Sequence, residues 1–149
     1  MKARAADEPL GSLVSKAHLS MKSYFNHLIR QARVEITADQ WGLLTIVHHA
    51  PGISQSDIAQ RSRKDKTGVT RMLDLLEKRG YLVREDDETD RRAHRVRVTA
   101  EGERVLKQVA PLAAEVNRVS CTDLDAGQVE ALKGMLAQIR DNIDSVMQT

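Results

Sequence analysis

The chain has 149 residues, 41% of them hydrophobic, and a formal net charge of +2. Its length and apolar content fit one soluble domain, and it shows neither a membrane-spanning run nor the apolar core of a secretory signal, so we expect a cytoplasmic protein without a membrane partner. The charge is uneven, because residues 61–97 hold 12 Lys and Arg against 8 Asp and Glu, whereas residues 111–149 hold 3 against 6. This distribution predicts local attraction to a polyanion.

The first part of the chain predicts three helices. Apolar residues recur at three- and four-residue steps over residues 10–34, which indicates a long amphipathic helix. Thr37 and Gln40 have the spacing of a capping box, so a second helix is expected to begin at Thr37. Ser54 is then the expected cap of a short third helix over residues 55–61.

Residues 65–99 predict a fourth amphipathic helix, a glycine stop and a charged hairpin. Asp65 is the expected N-cap of the helix, and Gly80 supplies the residue that ends it. Strand-type residues follow at 81–84 and 94–98, with an acidic, turn-prone segment between them. This order is that of a winged helix-turn-helix, in which a helix fits the major groove of DNA and an arginine-tipped hairpin reaches a minor groove.

Two further helices with coiled-coil-like seams are predicted after the hairpin. One begins after Thr99 and the other at Asp125, and apolar residues in both recur at alternating steps of four and three. A small winged-helix core cannot cover these seams together with that of the first helix. A second subunit can cover all three, so we expect a homodimer with two-fold symmetry.

The predicted fold class is mainly α with a small β-wing. Residues 1–36 are expected to form an N-terminal dimerisation helix and residues 37–99 the winged helix-turn-helix lobe. Residues 100–149 are expected to form the C-terminal dimerisation helices, and the whole chain is expected to be one compact domain.

Polar residues on the outer face of the fourth helix are the candidate DNA contacts. Thr67, Thr70 and Arg71 are expected at base edges, because an arginine can fork to guanine and a threonine can meet a thymine methyl group. Lys66 and Ser54 are expected nearer to phosphates. The sequence therefore predicts both base-reading and backbone contacts from one lobe.

Two single residues stay without a functional role. Gly68 lies in the first turns of the fourth helix, where glycine costs about 1 kcal/mol relative to alanine; a close approach of the backbone to DNA or to a neighbouring helix, and neutral drift, both remain open. Cys121 is the one cysteine of the sequence, and no metal or redox motif surrounds it. Lone cysteines commonly serve as small buried hydrophobic residues.

In order and spacing, these segments resemble the MarR family of transcriptional regulators, the multiple-antibiotic-resistance repressor type. The resemblance covers nearly the whole chain. The matching segments are TADQWGLL at 37–44, PGISQSDIA at 51–59, DKTGVTR at 65–71, LEKRGYL at 76–82, DRR at 90–92 and VTAEG at 98–102. Each segment alone is weak, whereas their order and spacing together are specific.

The resemblance implies a homodimer that binds a pseudo-palindromic operator in double-stranded DNA, represses transcription, and is released by a small phenolic or lipophilic anion. It also implies that Asp90 pairs with Arg92 to stiffen the wing, which leaves Arg91 or Arg92 to enter the minor groove. In relatives the effector pocket lies between the dimer helices and the DNA-binding lobe. The corresponding residues here are Met21, Tyr24, Phe25, Trp41 and Leu112. Core packing is the alternative role for each of these five residues.

No catalytic or metal-binding constellation stands out in the sequence. His48 and His49 are adjacent, so on a helix they point about 100° apart, and no Cys, His and carboxylate residues have ligand spacing. We therefore expect no cofactor and no enzymatic activity. The competing interpretation is a winged-helix dimer that acts as a protein-interaction module without specific DNA binding. A steep salt dependence of DNA binding would separate the two, because neutralised phosphates release counterions.

Overall fold

The computed structural model describes residues 7–90 and 93–148. Within them the chain forms six helices and one antiparallel sheet of three strands in the order β1-β3-β2. The helices are α1 (Leu10–Gln31), α2 (Ala38–His49), α3 (Gln55–Ser62), α4 (Lys66–Lys78), α5 (Ala100–Ser120) and α6 (Ala126–Met147). The strands are β1 (Ile53–Ser54), β2 (Leu82–Asp86) and β3 (His94–Val98). This architecture confirms the predicted mainly helical winged helix-turn-helix.

The chain divides into two compact units, Met1–Ala114 and Glu115–Thr149. The first contains the winged helix-turn-helix and most of helix α5. The second contains the last residues of α5 and all of α6. None of the helices in the described part of the chain is long and apolar enough to cross a membrane.

Side-chain caps predicted from the sequence begin four of the helices. At α2 the Thr37 hydroxyl accepts a hydrogen bond from the Gln40 N–H at 3.2 Å, and the Gln40 side chain accepts one from the Thr37 N–H at 3.1 Å. The caps of the other three helices are Ser54, Asp65 and Asp125. These bonds satisfy backbone donors that the first turn of a helix otherwise leaves unpaired.

The core of the first unit lies where its helices meet the sheet. Its largest fully buried side chains are Ile29, Leu43, Leu44, Val47, Ile58, Val69, Leu73, Leu76, Leu82, Val96, Val105 and Val109. In α4 the buried residues Val69, Leu73 and Leu76 follow steps of four and three. One face of α4 is thereby fixed to the core, and the opposite face is left outward.

The sequence pattern does not predict strand β1. This two-residue strand pairs with β3, with Ile53 opposite Val96 and Ser54 opposite Arg95. Just before it, Gly52 has φ +80, and its N–H donates to the Val96 carbonyl at 2.9 Å. A strand this short has no periodicity of its own, so it exists only because β3 offers a partner.

Helix α5 packs directly against the start of the sheet at Gly102. A Cβ at this position would overlap the Tyr81 carbonyl oxygen and lie 2.7 Å from Val98 Cγ1. Thr99 joins the same elements, because its N–H donates to the Tyr81 carbonyl at 3.1 Å and its hydroxyl accepts from the Gly102 N–H at 3.1 Å. This joint leaves no room for any side chain at residue 102.

Candidate nucleic-acid interface

The exposed face of helix α4 carries the residues that the sequence assigns to DNA. Lys66, Thr67, Thr70 and Arg71 all lie on the surface, while Val69 between them is buried. The Thr70 hydroxyl donates to the Lys66 carbonyl at 2.9 Å. Within the described part of the chain, neither Lys66 nor Arg71 has an acidic partner. Two cations and two threonines are therefore available on one face of one helix.

The start of α4 is held by a tight cap. The Asp65 carboxylate accepts a hydrogen bond from the Gly68 N–H at 2.6 Å. A Cβ at residue 68 would lie 3.2 Å from Asp65 Oδ1, closer than a side-chain carbon ordinarily approaches an oxygen. The glycine thus leaves room for the cap, which gives a structural reason for a residue that the sequence leaves unexplained.

A cleft of about 220 Å³ opens between the first turns of α3 and α4 and the loop end of the wing, where Ala93 and His94 lie. Its polar lining comes from Ser54, Gln55, Ser56, Lys66, Thr70 and His94. Three of these, Ser54, Lys66 and Thr70, were predicted from the sequence. Gln55, Ser56 and His94 were not, because their proximity depends on how three elements pack and not on spacing along the chain.

Arg84 of strand β2 ties the wing to helix α4. Its Nη2 lies 2.6 Å from Asp74 Oδ1 and 2.9 Å from Glu77 Oε1, and its backbone N–H donates to Glu77 Oε2 at 3.0 Å. The hydrogen bond between the two side chains lowers the pKa of Glu77 and raises that of Arg84. This contact fixes the strand to the helix by charge as well as by packing.

The two arginines of strand β3 are also paired. Arg95 Nε lies 2.7 Å from Asp87 Oδ2, and its Nη1 donates to the Gly52 carbonyl at 3.1 Å. Arg97 Nε lies 3.4 Å from Glu85 Oε2. Both arginines, which belong to the positive charge counted over residues 61–97, thus form ion pairs within the wing.

Asp87 organises the described part of the wing loop. Its carboxylate accepts hydrogen bonds from the Thr89 N–H at 2.9 Å and the Thr89 hydroxyl at 2.8 Å. These bonds, with a further contribution from Arg95, lower the pKa of Asp87 to about 2. The Asp87 N–H also donates to the Ala93 carbonyl at 3.1 Å. The sequence interpretation missed this residue, because its role depends on the closure of the loop.

The predicted tip of the wing is described only in part. Asp90 is exposed, and its carbonyl accepts a hydrogen bond from the Ala93 N–H at 3.1 Å. Arg91 and Arg92 lie outside the described residues. The pair between Asp90 and Arg92, and the minor-groove contact, stay predictions.

Comparison with known proteins shows what this chain is similar to. The sequence profile of the MarR family matches residues 35–93, which span α2 to the start of the wing strand β3. A solved structure of MarR superposes with a TM-score of 0.85 at 23% identity, covering 97% of both chains. The transcriptional regulator SlyA gives 0.84 at 22% identity, covering 93% of this chain and 96% of that one. A mutant MarR from E. coli, complexed with operator DNA, gives 0.81 at 25% identity over 88% and 93% of the two chains.

Residues 35–93 of this chain match the MarR family, and its fold is similar to those of MarR and SlyA. The matched segment coincides with the winged helix-turn-helix whose geometry is given above. The structural likeness extends beyond it, to the helices on either side of that segment. The chain therefore has a winged helix-turn-helix lobe that matches the MarR family, and helices that precede and follow this lobe.

The predicted effector residues fall into two groups. Phe25 and Trp41 meet edge to face with ring centroids 5.4 Å apart, and both, like Leu112, pack against the hydrophobic core. Met21 and Tyr24 lie on α1 outside that core cluster. Three of the five residues thus take part in the core packing, and the structure shows a direct contact between two of them, Phe25 and Trp41.

A second cleft, of about 290 Å³, lies between α2 and α5 beside Trp41. Its polar lining comes from Trp41, Thr45, His48, His49, Glu103 and Lys107. His48 Nδ1 lies 2.8 Å from Glu103 Oε1. The Trp41 indole N–H is buried and has no hydrogen-bond partner among the described residues. Of the predicted effector residues, Trp41 lines this cleft. The other polar residues of the lining were not predicted, because they come together only when α2 packs against α5, which is distant in sequence.

Metal-binding groups and the single cysteine are the other candidate functional features. Across residues 7–90 and 93–148, no group of three or more His, Cys, Asp and Glu residues is arranged to hold a metal ion. Cys121 is a half-buried free thiol just after helix α5.

Proposed function

We propose that this chain is a sequence-specific DNA-binding transcriptional repressor of nearby genes. The observation that carries this proposal is the outward face of α4, where Lys66 and Arg71 have no acidic partner within the described residues. A surface helix of this kind fits the major groove, and an arginine can bind guanine through two hydrogen bonds. The MarR relative whose structure contains operator DNA supports the proposal.

Each candidate residue then has a proposed contact. Arg71 and the two threonines of α4 meet base edges, while Lys66 and Ser54 meet phosphates. Arg91 or Arg92 reaches the minor groove from the wing, and Asp90 pairs with Arg92 to stiffen the wing. Because this function needs access to chromosomal DNA, we propose the cytoplasm as the place of action.

We further infer a two-fold homodimer. Helix α6 has no buried residue although apolar side chains recur along it, and Val146 and Met147 near its end are 72% and 80% exposed. On helix α1 the exposed apolar residues include Leu10, Val14 and Leu19. Exposed apolar side chains that recur along a helix indicate a protein–protein interface, because their exposure to water is unfavourable. Analytical ultracentrifugation at micromolar concentration should give a dimer, and a stable monomer would contradict the inference.

We also propose that a small phenolic or lipophilic anion releases the protein from DNA. The α2–α5 cleft supports this, because it offers the apolar ring of Trp41 together with the Lys107 ammonium. Trp41 is the one tryptophan of the sequence, so its fluorescence reports on this cleft. Salicylate should change the emission and weaken DNA binding, with a smaller response in Lys107→Gln. If salicylate alters neither signal, an effector of this class is contradicted.

The test of DNA binding is a salt series. Fluorescence anisotropy with a labelled duplex should show log K falling linearly with log salt, because each neutralised phosphate contributes a slope of about 0.9. Lys66→Ala should lower the affinity and flatten the slope. The matched control is Lys133→Ala, which removes a lysine of α6 that is paired with Glu130 at 2.9 Å. Absent or salt-independent DNA binding would instead favour the protein-interaction module.

A further inference from the structure

The first turn of helix α2 connects helix α1 to the turn that precedes helix α4. Asp39 makes this connection, because its Oδ2 lies 3.0 Å from Lys22 Nζ of α1 and its Oδ1 lies 3.3 Å from Lys64 Nζ. Beside it, the Ala38 N–H donates to Asn26 Oδ1 of α1 at 2.8 Å. One carboxylate therefore bridges two lysines from different parts of the lobe.

The two ion pairs of Asp39 are partly shielded from water. The side chains of Asp39, Lys22 and Lys64 are each about one-third exposed. Burial alone would raise the pKa of Asp39, but the hydrogen bonds from both lysines outweigh it, so the pKa is lowered. Asp39 is thus ionised at neutral pH, and salt screens its pairs less than it screens fully exposed ones.

The turn that Asp39 holds leads directly into α4. It consists of residues 63–65, between the end of α3 and the start of α4. Arg63 has φ +55, a left-handed conformation that residues other than glycine seldom adopt. Lys64 is bound to Asp39, and Asp65 caps α4 through the Gly68 N–H. The position of Lys64 therefore helps to set where α4 begins.

The start of α2 also holds the far end of α4. Arg79, the C-cap of α4, donates through Nη1 to the Glu35 carbonyl at 2.8 Å and to Gln40 Oε1 at 3.2 Å. Gln40 is buried and belongs to the capping box that begins α2. Both ends of α4 are thus tied to residues 35–40 without any contribution from DNA.

We propose that Asp39 is a positioning residue for sequence-specific DNA binding, because its bridge from Lys22 to Lys64 holds the start of α4 in place for base contacts. The proposal rests on the proposed DNA-binding function. A helix that is already held in place loses less conformational entropy on binding, so its affinity for the correct bases is higher. Binding that depends only on phosphate charge needs no such fixed geometry.

The sign of the effect separates positioning from simple electrostatics. Asp39→Asn removes a negative charge and releases two lysines, so charge alone should strengthen binding to any duplex. Positioning predicts weaker binding to the operator, by roughly threefold per subunit and roughly tenfold for a dimer on two half-sites. Affinity for a duplex of unrelated sequence should stay unchanged or rise. The ratio of the two affinities should therefore fall.

The experiment measures affinity by fluorescence anisotropy for two duplexes at one salt concentration. One duplex carries the sequence enriched by binding-site selection, and the other has an unrelated sequence. The matched control is Glu101→Gln, which removes the same charge from α5, where Glu101 Oε1 lies 2.6 Å from Arg104 Nη2. Asp39→Asn should lose operator affinity and Glu101→Gln should not. Unchanged or tighter operator binding by Asp39→Asn would overturn the proposal.

A second pair of variants tests the bridge itself. In a Lys64→Gln background the bridge to the turn is already broken, so adding Asp39→Asn should weaken operator binding by no more than about twofold. The full further loss would contradict the assigned bridge. Asp39→Glu keeps the charge and should retain more operator affinity than Asp39→Asn. Urea denaturation checks that each variant is folded under the assay conditions, which a loss through unfolding would not satisfy.

Failure of the proposed function is distinguishable from failure of this inference. If the chain does not read DNA sequence, the wild type binds the two duplexes alike. If only the role of Asp39 is wrong, the wild type prefers the operator and Asp39→Asn prefers it equally.

Discussion

Helix α4 and strand β3 both look basic in the sequence, but their cations are used in different ways. Lys66 and Arg71 of α4 stand on an outward face without an acidic partner in the described part of the chain. Arg95 and Arg97 of β3 each lie beside a carboxylate of strand β2 or of the loop that follows it. The arginines of β3 therefore form ion pairs within the wing, whereas the cations of α4 are available to a ligand.

The difference teaches that a count of charges does not locate an interface. Strand register sets the pairs of β3, because Glu85 lies diagonally from Arg97, and Asp87, one residue beyond the pair of Asp86 with His94, lies diagonally from Arg95. Diagonal neighbours are within reach of long side chains. The free cations are identified only after such pairs have been assigned.

The comparison of α4 with β3 assumes that both elements belong to one well-packed lobe. A substitution at Gly102, where α5 packs against the start of the sheet, tests that packing. Gly102→Ala forces a Cβ onto the Tyr81 carbonyl, so it should cost about 3 kcal/mol of unfolding free energy. The control Gly42→Ala adds a Cβ in helix α2 with no atom within 4 Å, and should gain up to about 1 kcal/mol. Urea denaturation measures both. Equal stability of Gly102→Ala and the wild type would contradict the packing described at this joint.

The comparison itself is tested by one arginine from each element. Arg71→Ala should cost about 1–3 kcal/mol of operator affinity, because it removes a guanine contact. Arg97→Ala removes the same charge from a paired position and should change that affinity by less than about 1 kcal/mol. Titrations against one operator at one salt concentration give both values. Comparable losses in the two variants would mean that paired and unpaired arginines meet DNA alike.

The smallest effect is expected from the pair between Arg84 and Glu77. The pKa of Glu77 is lowered in the folded chain, so its contribution to stability is present above about pH 4.5 and is lost as pH falls through the lowered pKa. Because both groups are partly exposed, Arg84→Ala should cost about 1 kcal/mol or less at pH 7 and still less at pH 3. Urea denaturation at the two pH values measures this difference. A cost that is equal at both would show that the pair does not act through charge.

Much of the fold follows from local sequence patterns. Thr37, Ser54, Asp65 and Asp125 cap helices as predicted, because a cap depends on residues within four positions of each other. The end of α4 at Gly80 is likewise a local feature, with φ +78. The helices and the winged order of elements could therefore be predicted before any contact was known.

The missed features all depend on contacts between distant parts of the chain. Strand β1 needs β3 beside it, and the role of Asp87 needs the loop to close onto Arg95. The place of His94 in the wing cleft and of Lys107 in the α2–α5 cleft depends on packing between elements. Sequence spacing names the candidates on one helix face, but it cannot show which groups from other elements join them.

The most direct test of a two-fold, DNA-reading dimer is binding-site selection from random duplexes with the wild-type protein. We predict enrichment of an inverted repeat whose half-sites lie about one helical turn apart, roughly 34 Å, because a symmetric dimer presents both α4 helices to one face of the duplex. Enrichment of no sequence would contradict base reading by α4, and an enriched site without inverted symmetry would contradict the two-fold docking.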